Sequence, residues 1–242
     1  MAIKCRICKS PCVKKWDMKV RDRFEGPLYQ CKGCDSLQFG GLDWLKDAYY
    51  GDYSIRFDEG RMLRNMVVYK LVRRLTKSFF DKDDILLLDY GSGEGVLCDL
   101  LKRSNKTKYI VGNYDPQVKR FSELPRGKFD IVMCIEVLEH LKDVYEFYKN
   151  IKRALSTNGI LICSTDLYQP NKHDKTWPYL STEIGQHITF WTKKSIQYLK
   201  RIIRAKHCVI LQCKNRVKMN FIVFSNQLPL QMPDGYYKLE SL

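Results

Sequence analysis

Ile85-Leu86-Leu87-Leu88-Asp89-Tyr90-Gly91-Ser92-Gly93-Glu94-Gly95 decides the fold of this chain. The apolar run reads as a buried strand, an acid closes it, and three glycines at alternate positions turn the backbone towards a helix. Without a Cβ, those glycines let the main chain approach a ligand and adopt positive φ. The dinucleotide fingerprint G-x-G-x-x-G seats a pyrophosphate on a helix N-terminus. Here the spacing is G-x-G-x-G with an acid just ahead, which points to a different cofactor.

Downstream, the pattern predicts a helix over about 94–103, strands over 109–114 and 129–135, a helix over about 143–155 and a strand over 159–164. A helix near 193–203 precedes apolar segments 207–213 and 217–224, which read as an antiparallel hairpin turning at Lys214-Asn215-Arg216. This alternation predicts an α/β fold with a Rossmann-like, mostly parallel sheet closed by the hairpin. Only about fourteen residues separate the second strand from Phe129, so the third strand should be rudimentary. Residues 41–80 read as mainly helical, with one stripe of Trp44, Leu45, Ala48 and Tyr49 and another of Met62, Met66, Tyr69, Leu71, Val72 and Leu75. Between them Tyr49-Tyr50-Gly51-Asp52-Tyr53 fits either a cover over the cofactor or core packing. The expected organisation is a zinc-binding ribbon (1–40), a helical linker or cap (41–83), the catalytic sheet (84–225) and an irregular tail (226–242) containing Pro229 and Pro233.

With 242 residues, 45% hydrophobic and 12% aromatic, the chain can bury a proper core. No apolar run approaches the ~20 residues of a membrane helix, and Met1-Ala2-Ile3-Lys4-Cys5 does not begin a secretory signal; a cytoplasmic protein with no membrane partner is expected. A net charge of +15 suits a polyanionic partner, but it is spread along the chain, as on a solvated basic surface. Five of ten cysteines lie in the first 34 residues. Cys98, Cys134, Cys163, Cys208 and Cys213 fall mostly in apolar runs and read as reduced core residues. Cys5-x-x-Cys8 and Cys31-x-x-Cys34 supply four thiolates for a tetrahedral, structural Zn²⁺, with Gly33 turning the second hook and Cys12 a poorer alternative ligand.

Ligands of open α/β sheets bind beyond the carboxyl ends of the strands. Asp89 ends the first strand and could orient an amino group. Asp115, twenty residues past Gly95, ends the second and is placed for ribose hydroxyls, or as a helix cap with Pro116. After the strand ending near Cys134-Ile135 come Glu136, Glu139 and His140, at i, i+3, i+4 spacing that one helical turn could aim at one point. Such a trio could bind a divalent metal or act as acid and base. His187 stands in a distinctive Gly185-Gln186-His187-Ile188-Thr189-Phe190-Trp191-Thr192 setting, whereas His173 reads as loop and His207 as strand edge.

Gly91 to Gly95, Asp115-Pro116 and Glu136-Val137-Leu138-Glu139-His140 together resemble an S-adenosylmethionine (SAM)-dependent class I methyltransferase over 84–225. The resemblance implies SAM bound by Asp89, Gly91, Ser92, Gly93, Gly95, Asp115 and Cys134. The two cysteine hooks, Trp44-Leu45, Ala48-Tyr49, Asp58-Glu59-Gly60, Arg64-Asn65, Trp177-Pro178-Tyr179 and Gly185-Gln186-His187 resemble a bacterial subfamily associated with sugar or surface-polysaccharide modification. The Glu-x-x-Glu-His motif with the later His187 is also similar to small-RNA 2′-O-methyltransferases, where it holds Mg²⁺ or Mn²⁺, and in part to ubiquinone-pathway O-methyltransferases.

The expected activity is O-methylation of a sugar or glycan hydroxyl, with Glu136, Glu139, His140 and His187 acting as catalytic residues or as ligands of a divalent metal. An RNA ribose acceptor is the alternative. A zinc-ribbon adaptor with a degenerate methyltransferase domain is the non-catalytic alternative, opposed by the intact glycines and Asp115.

Overall fold

The computed structural model describes residues 3–49, 60–104, 107–213, 219–227 and 236–242, with backbone alone at 61 and 236–241. The expected aromatic cover at Tyr50-Gly51-Asp52-Tyr53, the Lys214-Asn215-Arg216 turn, Asp58-Glu59, Pro229 and Pro233 lie outside them.

The chain divides into two compact units. The sheet unit comprises the described residues of Glu59–Val137, Tyr148–Ser164 and Ile202–Leu242. Its strands are β4 (Asp84–Tyr90), β5 (Lys108–Tyr114), β6 (Phe129–Ile135), β7 (Leu155–Ser164), β9 (His207–Cys213), β10 (Asn220–Ser225) and β11 (Tyr236–Ser241). They run in the order β11-β9-β10-β7-β6-β4-β5. The pairs β4–β5, β4–β6 and β6–β7 are parallel, and β10 and β9 join antiparallel. The mostly parallel sheet with a closing hairpin is therefore present. Parallel strands covered on both faces read as continuous apolar runs, and Ile160-Leu161-Ile162-Cys163 in β7 is fully buried.

Between β5 and β6 only a 3₁₀ turn, Lys119–Phe121, interrupts the loop, so β5 is the sheet edge where a third strand would have paired. At the opposite edge the tail expected to be irregular forms β11, pairing with β9 from Tyr236↔Cys213 to Ser241↔Val209. The correction has a physical reason: Tyr236–Ser241 is a strand-forming segment, and without it β9 would leave its backbone groups unpaired along an open edge.

Helix α2 (Arg61–Phe79) buries Val67, Val68, Leu71, Val72 and Leu75 in the core built on this sheet. The expected stripe is thus shifted: Met62 is 56% exposed, because the 3.6-residue period counted back from Leu71 passes through Val67 and Val68. Helix α3 (Val96–Lys102) follows the glycine turn and packs Leu97 and Leu101 into the same core. Phe221 of β10 is wholly buried there.

The head unit comprises the described residues of Met1–Asp58 with Leu138–Phe147 and Thr165–Arg201. Its strands β1 (Cys12–Val20), β2 (Phe24–Cys31), β3 (Leu37–Phe39) and β8 (Thr189–Phe190) form one antiparallel sheet in that order. Helix α1 (Leu45–Tyr49) follows, with Trp44 and Ala48 buried against Val20, Leu28, Phe39 and Phe190. A segment some 150 residues downstream therefore completes the N-terminal sheet. Helices α4 (Val144–Ala154) and α5 (Lys193–Ile203) complete the elements. No described helix is long and apolar enough to cross a membrane.

Replacing Phe221 with Ala should lower the unfolding free energy by about 3–5 kcal/mol, measured by equilibrium urea denaturation with an unchanged denaturant slope.

Candidate active site

In the sheet unit, β4 delivers the glycine turn. Gly91, Gly93 and Gly95 all lie at positive φ (86°, 51° and 81°), where a side chain is strained. A Cβ at Gly91 would stand 2.4 Å from Val137 Cγ2, whereas one at Gly93 would meet nothing within 4 Å, so the backbone there borders open space. Asp115 braces the turn: its Oδ2 accepts from Gly93 N at 2.8 Å and its Oδ1 from Gln117 N at 2.8 Å. Each carboxylate oxygen keeps a second lone pair for another donor.

Asp89 is buried (3% exposed), and Cys98 Sγ of α3 donates to its Oδ2 at 3.4 Å. Burial pushes this carboxyl up to about 7; the Cys98 hydrogen bond opposes the shift and the charge of Asp115 adds to it. Ser92 Oγ and Asn113 Oδ1 are buried in the same region without a hydrogen-bond partner among the described residues. A buried acid, two orphan polar atoms and a Cβ-free backbone suit a polar, cationic ligand such as SAM. Cys134 lies fully buried in β6 beside Cys163 of β7.

Just past β6, Glu136 adopts φ 52°. That left-handed conformation costs a residue with a Cβ roughly 1–2 kcal/mol. Ser164 holds it: the hydroxyl accepts from Glu136 N at 2.9 Å and donates to Glu136 Oε1 at 2.6 Å. Ile135 pairs with Ser164 across the strand ends, which brings the clamp together.

The head unit holds two clusters that could ligate metal. In the first, the sulfurs of Cys5, Cys8, Cys31 and Cys34 all lie within 4.8 Å of one another. Cys5–Cys34 measures 3.7 Å and Cys8–Cys31 3.4 Å. A tetrahedral Zn²⁺ with Zn–S bonds of about 2.3 Å needs S···S separations of about 3.8 Å, so the set fits that ion. Amides of Ile7, Gly33 and Cys34 point at the sulfurs of Cys5 and Cys31. Cys12 stands outside this set, its thiol turned to the Ser10 carbonyl.

The second cluster joins Glu139 and His140, on the 3₁₀ turn Leu138–His140, to His187. The two rings lie 5.0 Å apart, edge to face. Since a carbonyl only accepts, His140 Nδ1–H donates to Gln186 O at 3.0 Å and His187 Nδ1–H to Tyr179 O at 2.7 Å. In a neutral ring each Nε2 then carries the lone pair. Burial, with His187 adding to it, depresses His140 to about 3, so it is neutral at physiological pH. The Tyr179 hydroxyl donates to Glu139 Oε1 at 2.7 Å and is 3.1 Å from Thr165 Oγ1; the Tyr49 hydroxyl sits 3.3 Å from His140 Nδ1.

By spacing alone, Glu136 shares one turn with Glu139 and His140. The structure gathers Glu139, His140 and His187, while Glu136 is engaged with Ser164. From the sequence alone Ser164 is not singled out, and Tyr49, Tyr179 and Gln186 stand only in an aromatic stretch and in family-like stretches, with no link to this cluster. A signal existed for Ser164, a polar residue ending the Ile160–Cys163 apolar run, and for Tyr179 in Trp177-Pro178-Tyr179.

A family model described as a methyltransferase domain matches residues 62–201, more than half of the chain, and the cysteine hooks lie outside the match. The ubiquinone biosynthesis O-methyltransferase of Rickettsia typhi is 22% identical over 180 residues, covering 66% of this chain and 68% of its own length. That of Rickettsia bellii is 25% identical over 181 residues, covering 66% and 70%. Among solved structures, the 1,6-didemethyltoxoflavin-N1-methyltransferase of Burkholderia thailandensis, with S-adenosylhomocysteine bound, superposes with a TM-score of 0.52 at 12% identity, covering 87% of this chain and 99% of that one. This last likeness is one of fold. With the family match, the glycine turn and its buried acid, the chain belongs to the methyltransferase-domain family and is a SAM-dependent methyltransferase.

Proposed function

We propose that the chain methylates a hydroxyl, with a sugar or glycan as the acceptor, and that Glu139, His140 and His187 form the acceptor side of the reaction. The observation that carries this reading is the pair of imidazoles, each fixed through Nδ1–H on a backbone carbonyl, gathered with the Glu139 carboxylate. A hydroxyl must lose its proton as it takes a methyl group, and a fixed Nε2 lone pair serves that end. His140, depressed to about 3, is a weak base and suits hydrogen-bonding or ligation. His187 is then the proton acceptor. Within the sheet unit, the Glu136 carboxylate is held by Ser164 at the end of β6, the end of the sheet where ligands of this fold bind.

On the cofactor side, SAM supplies a methyl group on a positively charged sulfonium. Asp89 as carboxylate would answer the cationic end, Gly91, Ser92, Gly93 and Gly95 would let the backbone close on the ligand, and Asp115 would accept ribose hydroxyls while bracing Gly93. Cys134, buried in β6, would contribute to the floor beneath the cofactor. The work left to the protein is alignment and exclusion of water.

A carboxylate with two imidazoles also suits a borderline divalent ion; Mn²⁺ fits this set better than Mg²⁺, which prefers oxygen ligands. Such an ion would lower the acceptor's pKa. In the head, Cys5, Cys8, Cys31 and Cys34 would hold one structural Zn²⁺, closed to substrate because protein fills all four positions. A second acceptor class, the ring hydroxyl of a ubiquinone precursor, is favoured by the names of the relatives.

Elemental analysis should return one zinc per chain, and a Cys5→Ser/Cys31→Ser double variant should lose it. Incubation with SAM carrying a deuterated methyl group and panels of glycans, phenolic ring compounds and RNAs, read by mass spectrometry, should place the label on a glycan oxygen. Label on ring phenols, on RNA riboses, or on nitrogen or carbon would each overturn the sugar assignment. In that assay His187→Ala should reduce turnover by about 10²–10⁴-fold with SAM affinity unchanged. Unchanged turnover removes His187 from the mechanism.

Because Asp89 is neutral below about 7 in the free protein and a cationic ligand favours its ionised form, binding below that pH must release a proton. SAM affinity measured calorimetrically should rise by up to roughly tenfold per pH unit between pH 5.5 and 7, then level off. Asp89→Asn should flatten the profile.

A further inference from the structure

The geometry points to the cysteine head as the scaffold of the acceptor-side cluster, with Arg6 as the positioning residue that fixes the segment carrying His187. This inference rests on the reading of Glu139, His140 and His187 given above.

Arg6 lies inside the first hook, between Cys5 and Cys8. Its guanidinium forks between β3 and the residue that precedes β8. Nη2 donates to Phe39 O of β3 at 2.7 Å, and Nη1 donates to Ile188 O, the residue next to His187, at 2.9 Å. The Thr189 hydroxyl lies 3.5 Å from the same Nη1. The backbone of the hook is tied in as well: Arg6 N donates to Gln38 Oε1 at 2.7 Å, and Gln38 Nε2 donates to Lys4 O at 3.0 Å. From the second hook, Cys34 O accepts from the Thr192 hydroxyl at 2.6 Å. Both hooks therefore grip the stretch from 188 to 192, one at each end.

The same stretch carries the cluster. Ile188 N donates to Glu139 O at 2.9 Å, the Thr189 hydroxyl to Leu141 O at 3.0 Å and the Trp191 indole to Leu138 O at 2.8 Å. The turn bearing Glu139 and His140 is thus registered against the strand that follows His187, and that strand is registered against the hooks. The Arg6 guanidinium carries a fixed positive charge next to the first hook. Four thiolates around Zn²⁺ carry about two net negative charges, for which this guanidinium is a counter-charge already in place. An arginine is suited to this post because its planar fork spans two carbonyls, which the single ammonium of a lysine cannot do.

The test uses the full chain labelled with ¹⁵N-histidine, whose four histidines are His140, His173, His187 and His207. In the wild type, His187 and His140 should show the Nδ1–H tautomer. In Arg6→Ala, His187 should lose that fixed tautomer and move to averaged imidazole shifts. His207, zinc content and SAM affinity should stay the same within about twofold. Arg6→Lys should keep the fold and the charge yet fail to restore the His187 signal. Stripping zinc from the wild type with a mercurial and a chelator should produce the same His187 change.

An unaltered His187 signal in Arg6→Ala, or full rescue by lysine, would overturn the positioning role. Should Arg6→Ala fail to fold, the lysine variant and the zinc-stripped wild type decide the matter alone. The reading of the cluster fails separately, through unchanged turnover in His187→Ala, and the zinc assignment fails separately, through elemental analysis that returns no zinc.

Discussion

The two-residue strand β8 is the constraint on which the candidate acceptor side depends. Its backbone and flanking side chains hydrogen-bond to β3 and the cysteine hooks on one side and to the Glu139–His140 turn on the other. Two residues of strand hold almost nothing by themselves. Their position is set because Phe190, Ile188 and Trp191 are completely buried, so the surrounding polar backbone must find partners inside the unit. The groups that answer this demand come from segments as distant in sequence as the Arg6 guanidinium and the carbonyls of Cys34, Leu138 and Glu139.

Burial produces both the chemistry and the strain. Asp89 ends β4 in apolar surroundings that strip it of water and push its carboxyl up to about 7. Glu136 adopts a left-handed backbone that an isolated glutamate would avoid, and Ser164 offsets that cost by bonding to both its amide and its carboxylate. His140 is kept neutral by the same loss of water, and its tautomer is chosen by a carbonyl that can only accept. In each case a buried group has few partners to choose from, and that scarcity fixes its state.

Much of the sheet was legible in the chain. The run Ile85–Leu88 with the glycines, the apolar stretch of β7 and the strand-like segments 207–213 and 217–224 marked the strands and the closing hairpin, because central parallel strands must be apolar on both faces. The four cysteines were legible from spacing alone, since a metal knuckle is local. Three features were misread. The tail became β11 because the open edge of β9 lies beyond any local pattern. In α2 Leu71, Val72 and Leu75 are buried as expected, but Met62 lies on the opposite face and Val67 and Val68 take its place, since methionines fit equally well on either flank. Glu136 could not be separated from Glu139 by spacing, because a helical turn was assumed where the backbone takes positive φ.

The amino-acid sequence by itself determined the α/β sheet, the SAM-type glycine turn and the two cysteine hooks, all of them features in which neighbouring residues carry the physical signal. Only the tertiary structure decided that β8 completes the head's sheet, that His187 meets Glu139 and His140, and that Ser164 clamps Glu136. The reason is the range of the forces: periodicity and turn chemistry act over a few residues. The pairing of buried donors and acceptors is settled only when segments tens of residues to more than a hundred residues apart are desolvated together.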